Sequence, residues 1–272
     1  MRPWVLAETN YSHTKQSPYE VAVLPLGATE PHNLHLPYST DTLEGTAIGE
    51  HVCEAAHQQG AKVVLLPTVP YGTETNMQAM PLAMNLDPST LYQVVSDLVE
   101  SLVNNGIYKI LLINSHGGNE MKPLLRELCG RTDAHLFLCN WFQMVKDQAA
   151  EIFEHEEDHA GEMETSLALA YFPDLVARHE DGSLTADDGQ TRPFRFQALQ
   201  EGWVSITRPW HLLTTNTGSG NPHAASAEKG QQVMQLMVDR LSKFLVELSA
   251  SPLDETFPFS VSDGVDQGDG QN

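Results

Sequence analysis

Runs of valine, leucine and isoleucine recur along the chain, and the stretches between them carry apolar residues at helical spacing. Residues 21–27 (VAVLPLG), 62–72 (KVVLLPTVPYG), 109–115 (KILLINS) and 134–141 (AHLFLCNW) are predicted strands. Nearly continuous aliphatic runs without a polar alternate face are what strands covered on both sides show. A first helix is predicted over 41–59. In the second, Asp87 is the N-cap, Pro88 takes the first helical position and Gly106 follows the end. Its apolar positions Leu91, Val94, Val95, Leu98 and Leu102 fall on one face. Further helices are expected over 119–131, 141–153 and 162–171, and a long one from 223 to 248 closes the chain.

Strand and helix in alternation imply right-handed crossovers and a mostly parallel sheet with helices on both faces. The expected fold class is therefore α/β, a three-layer sandwich. Residues 173–222, rich in Gly, Pro and aromatics, interrupt the rhythm as a hairpin or irregular insertion. Neither an internal repeat nor a linker is visible, so residues 1–250 are read as a single domain. The polar, acidic stretch 251–272 has the composition of a disordered tail.

Charge narrows the classes of partner. The 272 residues include 36 acidic and 15 basic ones, for a net charge of −21. A field of that sign repels phosphate backbones and anionic lipid, so nucleic acid and membrane surfaces are excluded as expected partners. It suits a protein that concentrates cations, although most of these carboxylates are solvated surface. Cys53, Cys129 and Cys139 lie in apolar segments and read as small core residues in a reducing compartment. The first residues lack an apolar signal region, and no run approaches about 18 apolar residues. A cytoplasmic location is expected.

In open parallel sheets ligands bind beyond the carboxyl ends of the strands. Polar, metal-capable residues collect in the segments that follow the predicted strands: GATEPHNLHLPYSTD, PYGTETN, SHGGNE and NWF. Glu30 and His32 flank Pro31, which favours extended geometry before it, so their side chains can converge on one cation. His35 could join them. Asp41 falls where the first helix begins, where an ionised carboxylate is favoured, and its two oxygens suffice to bridge two metals. His116 follows the third strand, and Gly117 and Gly118 allow close backbone approach. Taken singly, these are a surface acid, a loop histidine and a helix cap. Together, each directly after a buried strand, they read as a metal site.

The stretch HEEDHAGEMETS (155–166) admits two readings. As H-E-x-x-H it is a zinc-peptidase helix, with His155 and His159 as ligands and Glu156 as general base. That reading needs an unbroken helix and a third ligand such as Glu180. Gly161 follows too soon, and EHEEDH lacks the apolar flanks that would bury such a helix. The other reading uses His159 in a loop as proton carrier, with Glu164 at the start of the next helix as an anionic ligand.

The three motifs EPHNLHLPYSTD, SHGGN and HAGEMETS, in that order, resemble the creatininase (creatinine amidohydrolase) family. The likeness runs from about residue 21 to 248 and includes RPW (208–210) and the GSGNP…ASAEKG segment (218–230). The resemblance implies a creatininase-like sandwich, a two-metal amidohydrolase site and hexamers. It assigns Glu30, His32, Asp41 and His116 as metal ligands with Asp41 bridging, His159 as the catalytic histidine, and Glu164 as the acid of the HAGxxET motif. The chain also departs from creatininase proper. Gly117 and Gly118 stand where the family enzyme has a tyrosine and a liganding glutamate, and Glu164 is the expected replacement ligand. His155 stands where creatininase places a tryptophan, and Asn76 with MPLAMN replaces a histidine and an FPGT-like turn. Creatinine itself is not the expected substrate.

The expected activity is divalent-metal hydrolysis of a non-peptide C–N bond in a small cyclic amide or formamide. Two ions about 3.5 Å apart would share Asp41 and a bridging hydroxide that attacks the carbonyl. His159, with Glu164 beside it, would protonate the leaving nitrogen. Zinc is the default metal for this carboxylate–imidazole set, with manganese or iron as alternatives. The rival readings are the zincin built on His155, Glu156 and His159, and a metal-binding scaffold without turnover.

Overall fold

The computed structural model describes residues 1–260. Four strands, β1 (Val21–Leu26), β2 (Val63–Leu65), β3 (Lys109–Asn114) and β4 (His135–Asn140), form one sheet in the order β2-β1-β3-β4. Every pairing is parallel, and Leu26, Asn114 and Asn140 lie in register at the carboxyl edge. The connecting helices are α1 (Thr40–Gln58), α2 (Pro88–Asn104), α3 (Lys122–Leu128), α4 (Trp141–Met144), α5 (Lys146–Ile152), α6 (Glu162–Tyr171) and α7 (Ala227–Ala250).

Alternate residues of the strands feed two cores, as the period of two requires. Val21 and Val23 of β1 and Leu111 and Ile113 of β3 face α1, α6 and α7, where Ile48, Val52, Leu167, Met237 and Leu245 are buried. Ala22, Leu24 and Leu26, with Ile110 and Leu112, face α2 and α3, against Leu91, Val95, Val99 and Leu124. The expected three-layer α/β sandwich is thus the observed one.

Several boundaries differ from expectation for local reasons. The strand expected over 62–72 stops at Leu65, because Pro67 and Pro70 cannot donate to a ladder. The helix expected over 119–131 begins only at Lys122, with Pro123 in its first turn, because the Asn119 side chain is engaged elsewhere. The helix expected over 141–153 is two pieces, α4 and α5, that meet at the buried Val145. The last helix begins at Ala227 because Ser226 caps it by accepting from Lys229 N at 3.2 Å. Residues 173–222 are mostly irregular, with short helices at Gln197–Gln200 and Trp210–Leu213.

Of the stretch expected to be disordered, residues 251–260 lie against the sheet edge, where Phe257 packs on His135 and Phe137. Residues 261–272 lie outside the described residues. Among the described residues no helix is long and apolar enough to cross a membrane.

Candidate metal centre

The carboxyl edge of the sheet gathers the predicted site residues. Glu30 and His32 stand on the loop after β1, and Asp41 is in the first turn of α1. Gly45 and Gly49 seat that helix: a methyl at either would come within 2.7 Å of Ser115 Oγ or 2.6 Å of Leu65. This close seating brings the amino end of α1, and with it Asp41, down onto the loop that carries His116. The loop holding His32 is pinned from the far side of the chain. Thr217, at a φ of 68°, donates Oγ1 to Pro31 O and accepts from Asn33 N at 2.9 Å. A β-branched residue in the left-handed region is strained, and such strain persists where surrounding contacts over-determine it.

Glu30, His32, Asp41, His116 and His159 are all buried, and their donor atoms converge. Asp41 faces two ways: Oδ1 lies 3.3 Å from His32 Nε2, and Oδ2 lies 3.6 Å from His116 Nδ1. Glu30 Oε1 is 3.0 Å from His116 Nδ1 and 3.7 Å from His159 Nδ1. Glu164 Oε2 completes the His32 side at 4.0 Å while accepting from Ala160 N. Three donor groups result: one of Glu30, His32 and His159, and two more, of His32, Asp41 and Glu164 and of Glu30, Glu74 and His116. Asp41 faces both of the last two.

Backbone carbonyls orient each imidazole. His32 donates Nδ1–H to Glu30 O at 3.0 Å, His159 donates Nε2–H to Pro31 O at 3.0 Å, and His116 donates Nε2–H to Thr73 O at 3.1 Å. The remaining nitrogen of each ring faces the carboxylates. Carbonyl-anchored histidines of this kind are the usual support of metal ligands.

Electrostatics point the same way. Burial pushes the Glu30 and Glu164 carboxyls above their ordinary range. Burial disfavours charge on His32 too, but Asp41, Glu164 and Glu30 outweigh it and hold its pKa up to about 10. His116 is likewise raised well above the usual value, burial being outweighed by Glu30 and Glu74. Buried Glu30 Oε2, His32 Nε2 and Asp41 Oδ2 have no hydrogen-bond partner. Unpaired buried donors and acceptors of this density are costly, and a divalent cation would satisfy them together. The donor set fits one.

Two acids escaped the sequence reading. Glu74, in the PYGTETN segment after β2, is fully buried with its Oε1 2.8 Å from His116 Nε2. Its position in a strand-end loop was the available signal. Glu44, one turn beyond Asp41 on α1, is buried with both oxygens unpartnered, and burial raises its pKa well above the ordinary value.

Other predicted participants stand apart. His155, Glu156 and Glu180 are exposed, and residues 153–160 are not helical. His159 sits in an extended bridge with Ser219, followed by Ala160 at a φ of 52°. The helix that H-E-x-x-H requires is therefore absent. Glu157 accepts instead from Met163 N and Glu164 N, capping α6. His35 shares a 2.8 Å hydrogen bond with Thr165 Oγ1 and is not among the converging donors. Asn119 ties three segments together: it accepts from Thr73 N and donates to Gly27 O and to the Asn114 side chain at the end of β3.

A family model for creatininase (creatinine amidohydrolase) matches residues 7–245. The chain belongs to the creatininase family. It is 32% identical to a creatinine amidohydrolase of Pseudomonas putida over 84% of this chain and 89% of the relative. It is also 26% identical to a mycofactocin precursor peptide peptidase of Mycobacterium ulcerans (strain Agy99), over 86% and 89% of the two chains. Among solved structures, a protein of Bacteroides fragilis NCTC 9343 that carries the provisional name creatinine amidohydrolase superimposes with a TM-score of 0.85. Identity with it is 34%, covering 94% of this chain and all of that one.

Proposed function

We propose that this chain is a divalent-metal amidohydrolase that cleaves a non-peptide C–N bond in a small cyclic amide or formamide. The observation that carries the reading is the bidirectional carboxylate of Asp41, with one oxygen toward His32 and the other toward His116. The charge count supports two ions. Glu30, Glu74, Asp41 and Glu164 are four carboxylates at the cluster, and two dications would balance them. Zinc is the first candidate for this mixed oxygen and nitrogen set, with manganese or iron as alternatives. Glu30 and His116 would hold one ion, His32 and Glu164 the other, and Asp41 both. When bound, such a pair supplies Lewis acidity toward the amide carbonyl and makes water acidic enough to attack near neutrality.

The remaining chemistry falls to His159. Its Nε2–H is committed to Pro31 O, so Nδ1 is bare and faces the cluster. Burial and the neighbouring His32 cation push its pKa well below the ordinary imidazole value. It is therefore neutral in the resting protein and acts first as a base. Nδ1 takes a proton from the attacking water and delivers it to the leaving nitrogen as the C–N bond breaks, giving a carboxylic acid and an amine. Trp210 stands edge-on to the His159 ring at 5.0 Å, and Arg208 lies over the indole at 5.3 Å. Trp210, Met77 and Leu213 form a small apolar wall between the insertion and the Glu74 loop. Glu164 sits close enough to His32 to act from the ligand shell, so its contribution to catalysis runs through the ion. The enzyme is read as a cytoplasmic homo-oligomer, a hexamer by family likeness, which light scattering would test.

The test is a panel of lactams, formamides, cyclic ureas and short peptides, assayed with zinc, manganese and iron. Metal-dependent hydrolysis of a non-peptide member supports the proposal. The likeness to a peptide peptidase makes the peptide arm informative: cleavage confined to peptides overturns the assignment of bond class. Metal binding without hydrolysis of any member favours a scaffold.

A further inference from the structure

Among the three histidines of the centre, His116 is supported differently. His32 and His159 each rest on a backbone carbonyl alone. His116 Nε2 faces both Thr73 O at 3.1 Å and Glu74 Oε1 at 2.8 Å. Glu74 is fully buried, its approach to His116 is an ion-pair contact, and among the described residues neither of its oxygens has a hydrogen-bond partner. A buried carboxylate without a donor is expensive and calls for a reason.

We propose that Glu74 is a positioning residue of the metal centre: together with Thr73 O it confines the His116 proton to Nε2, so that Nδ1 presents its lone pair toward Glu30 and Asp41. The inference rests on the metallohydrolase reading above. Two acceptors beside Nε2 make a bare lone pair there repulsive, which leaves Nδ1 as the unprotonated nitrogen. Nδ1 is the atom 3.0 Å from Glu30 and 3.6 Å from Asp41. The carboxylate also raises the donor strength of the ring, as outer carboxylates on metal-bound histidines do.

The packing around this contact fits the role. A methyl group at Gly118 would collide with both His116 Nε2 and Thr73 O, whereas one at Gly117 would meet nothing. The second glycine of SHGGN is thus what lets the loop bearing Thr73 and Glu74 close on the ring. Asn119 fixes that loop by accepting from Thr73 N at 3.0 Å, and Asn85 holds Glu74 by accepting from its N–H at 2.7 Å.

The experiment measures zinc affinity and stoichiometry of the full chain by competition with a chromophoric chelator, with thermal unfolding of the chelated protein alongside. Glu74→Ala and the near-isosteric Glu74→Met should weaken one of the two ions about 10–100-fold while both still bind at saturating zinc. Glu74→Gln keeps an acceptor oxygen and should stay within about threefold of wild type, on the same scale. Equal losses in Gln, Met and Ala, with one ion fewer at saturation, would make Glu74 a direct ligand and overturn the positioning role. Unchanged affinity in both Met and Ala, whatever their melting temperatures, would overturn it as well. Failure of the wild-type protein to bind zinc, manganese or iron would remove the metallohydrolase reading itself, a result distinct from either.

Discussion

Asp41→Asn is the sharpest perturbation of the centre, since it keeps shape and removes only the charge and one strong donor oxygen. The structure sets the expected size. Asp41 reaches His32 with one oxygen and His116 with the other, so each ion loses one of three close protein donors. Loss of an outer-shell partner alone costs about 10–100-fold in affinity, and loss of a direct anionic donor costs more. At least about 100-fold per ion, roughly 2.8 kcal/mol, is therefore expected. Glu164→Gln and Glu30→Gln are the matched controls: Glu164 lies beside His32, and Glu30 lies nearest His116, at 3.0 Å against 3.9 Å from His32. Metal content after dialysis against a weak chelator should read two ions in wild type, one in either control and none in Asp41→Asn. Circular dichroism should show all four proteins folded, since β1 and both cores are untouched. An Asp41→Asn protein that retains one tightly held ion refutes the shared carboxylate, and with it the two-ion arrangement.

His159→Gln should lower kcat by about 10²–10⁴ with metal content unchanged and the pH dependence of kcat flattened; loss of metal instead would make it a ligand. His155→Ala combined with Glu156→Gln should leave activity within about twofold of wild type, as exposed positions away from special features tolerate change. Inactivity of that double variant would revive the peptidase pattern. Zinc uptake at pH 7 should release protons, because metal binding requires deprotonated ligands and His32 is held up to about 10; calorimetry in buffers of different ionisation heat measures this, and uptake without proton release refutes it. For the metal-free protein the sign follows from the same group. A pKa raised from 6.5 to about 10 gives stability that is complete below 6.5 and lost as pH rises through 10. Glu157, raised to about 8 by burial and Glu164, acts in the same direction, while the lowered His159 opposes it only on the acid side. Chelated protein should therefore melt at lower temperature at pH 9 than at pH 6.5, and a flat profile would contradict the burial of these charges.

The fold was legible where apolar pattern and punctuation agree. The six residues of β1 and the six of β3 are all buried, as a strand covered on both faces demands. Errors arose where a side chain had a distant partner. Asn119 looks like a helix cap in sequence, but Gly27 O and Thr73 N, far away along the chain, claim it. The break at Val145 has the same character: nothing local interrupts the helical pattern, and the buried Val145 with its neighbour Trp141 packs into the core beneath α7.

The site divides along the same line. Glu30, His32, Asp41, His116, His159 and Glu164 converge because each sits within a few residues of a strand end or helix start, and those positions are readable from pattern alone. Glu74 is also in a strand-end loop, but nothing nearby marks it: Thr73 and Thr75 flank it, and no second ligand-type residue lies at two-residue spacing. Its meaning depends on a histidine 42 positions later and on the absence of a side chain at Gly118. The H-E-x-x-H match is the converse case, a local pattern whose required helix the backbone does not form. Ala160 in the left-handed region and the bridge from His159 to Ser219 redirect the chain there, so that His159 turns inward while His155 stays in solvent. Spacing along the chain predicts a shared site only when the intervening backbone has the regular geometry the spacing assumes. For His159 and Glu164 the relevant geometry is a turn into a helix, which is why the second half of that stretch belongs to the centre and the first does not.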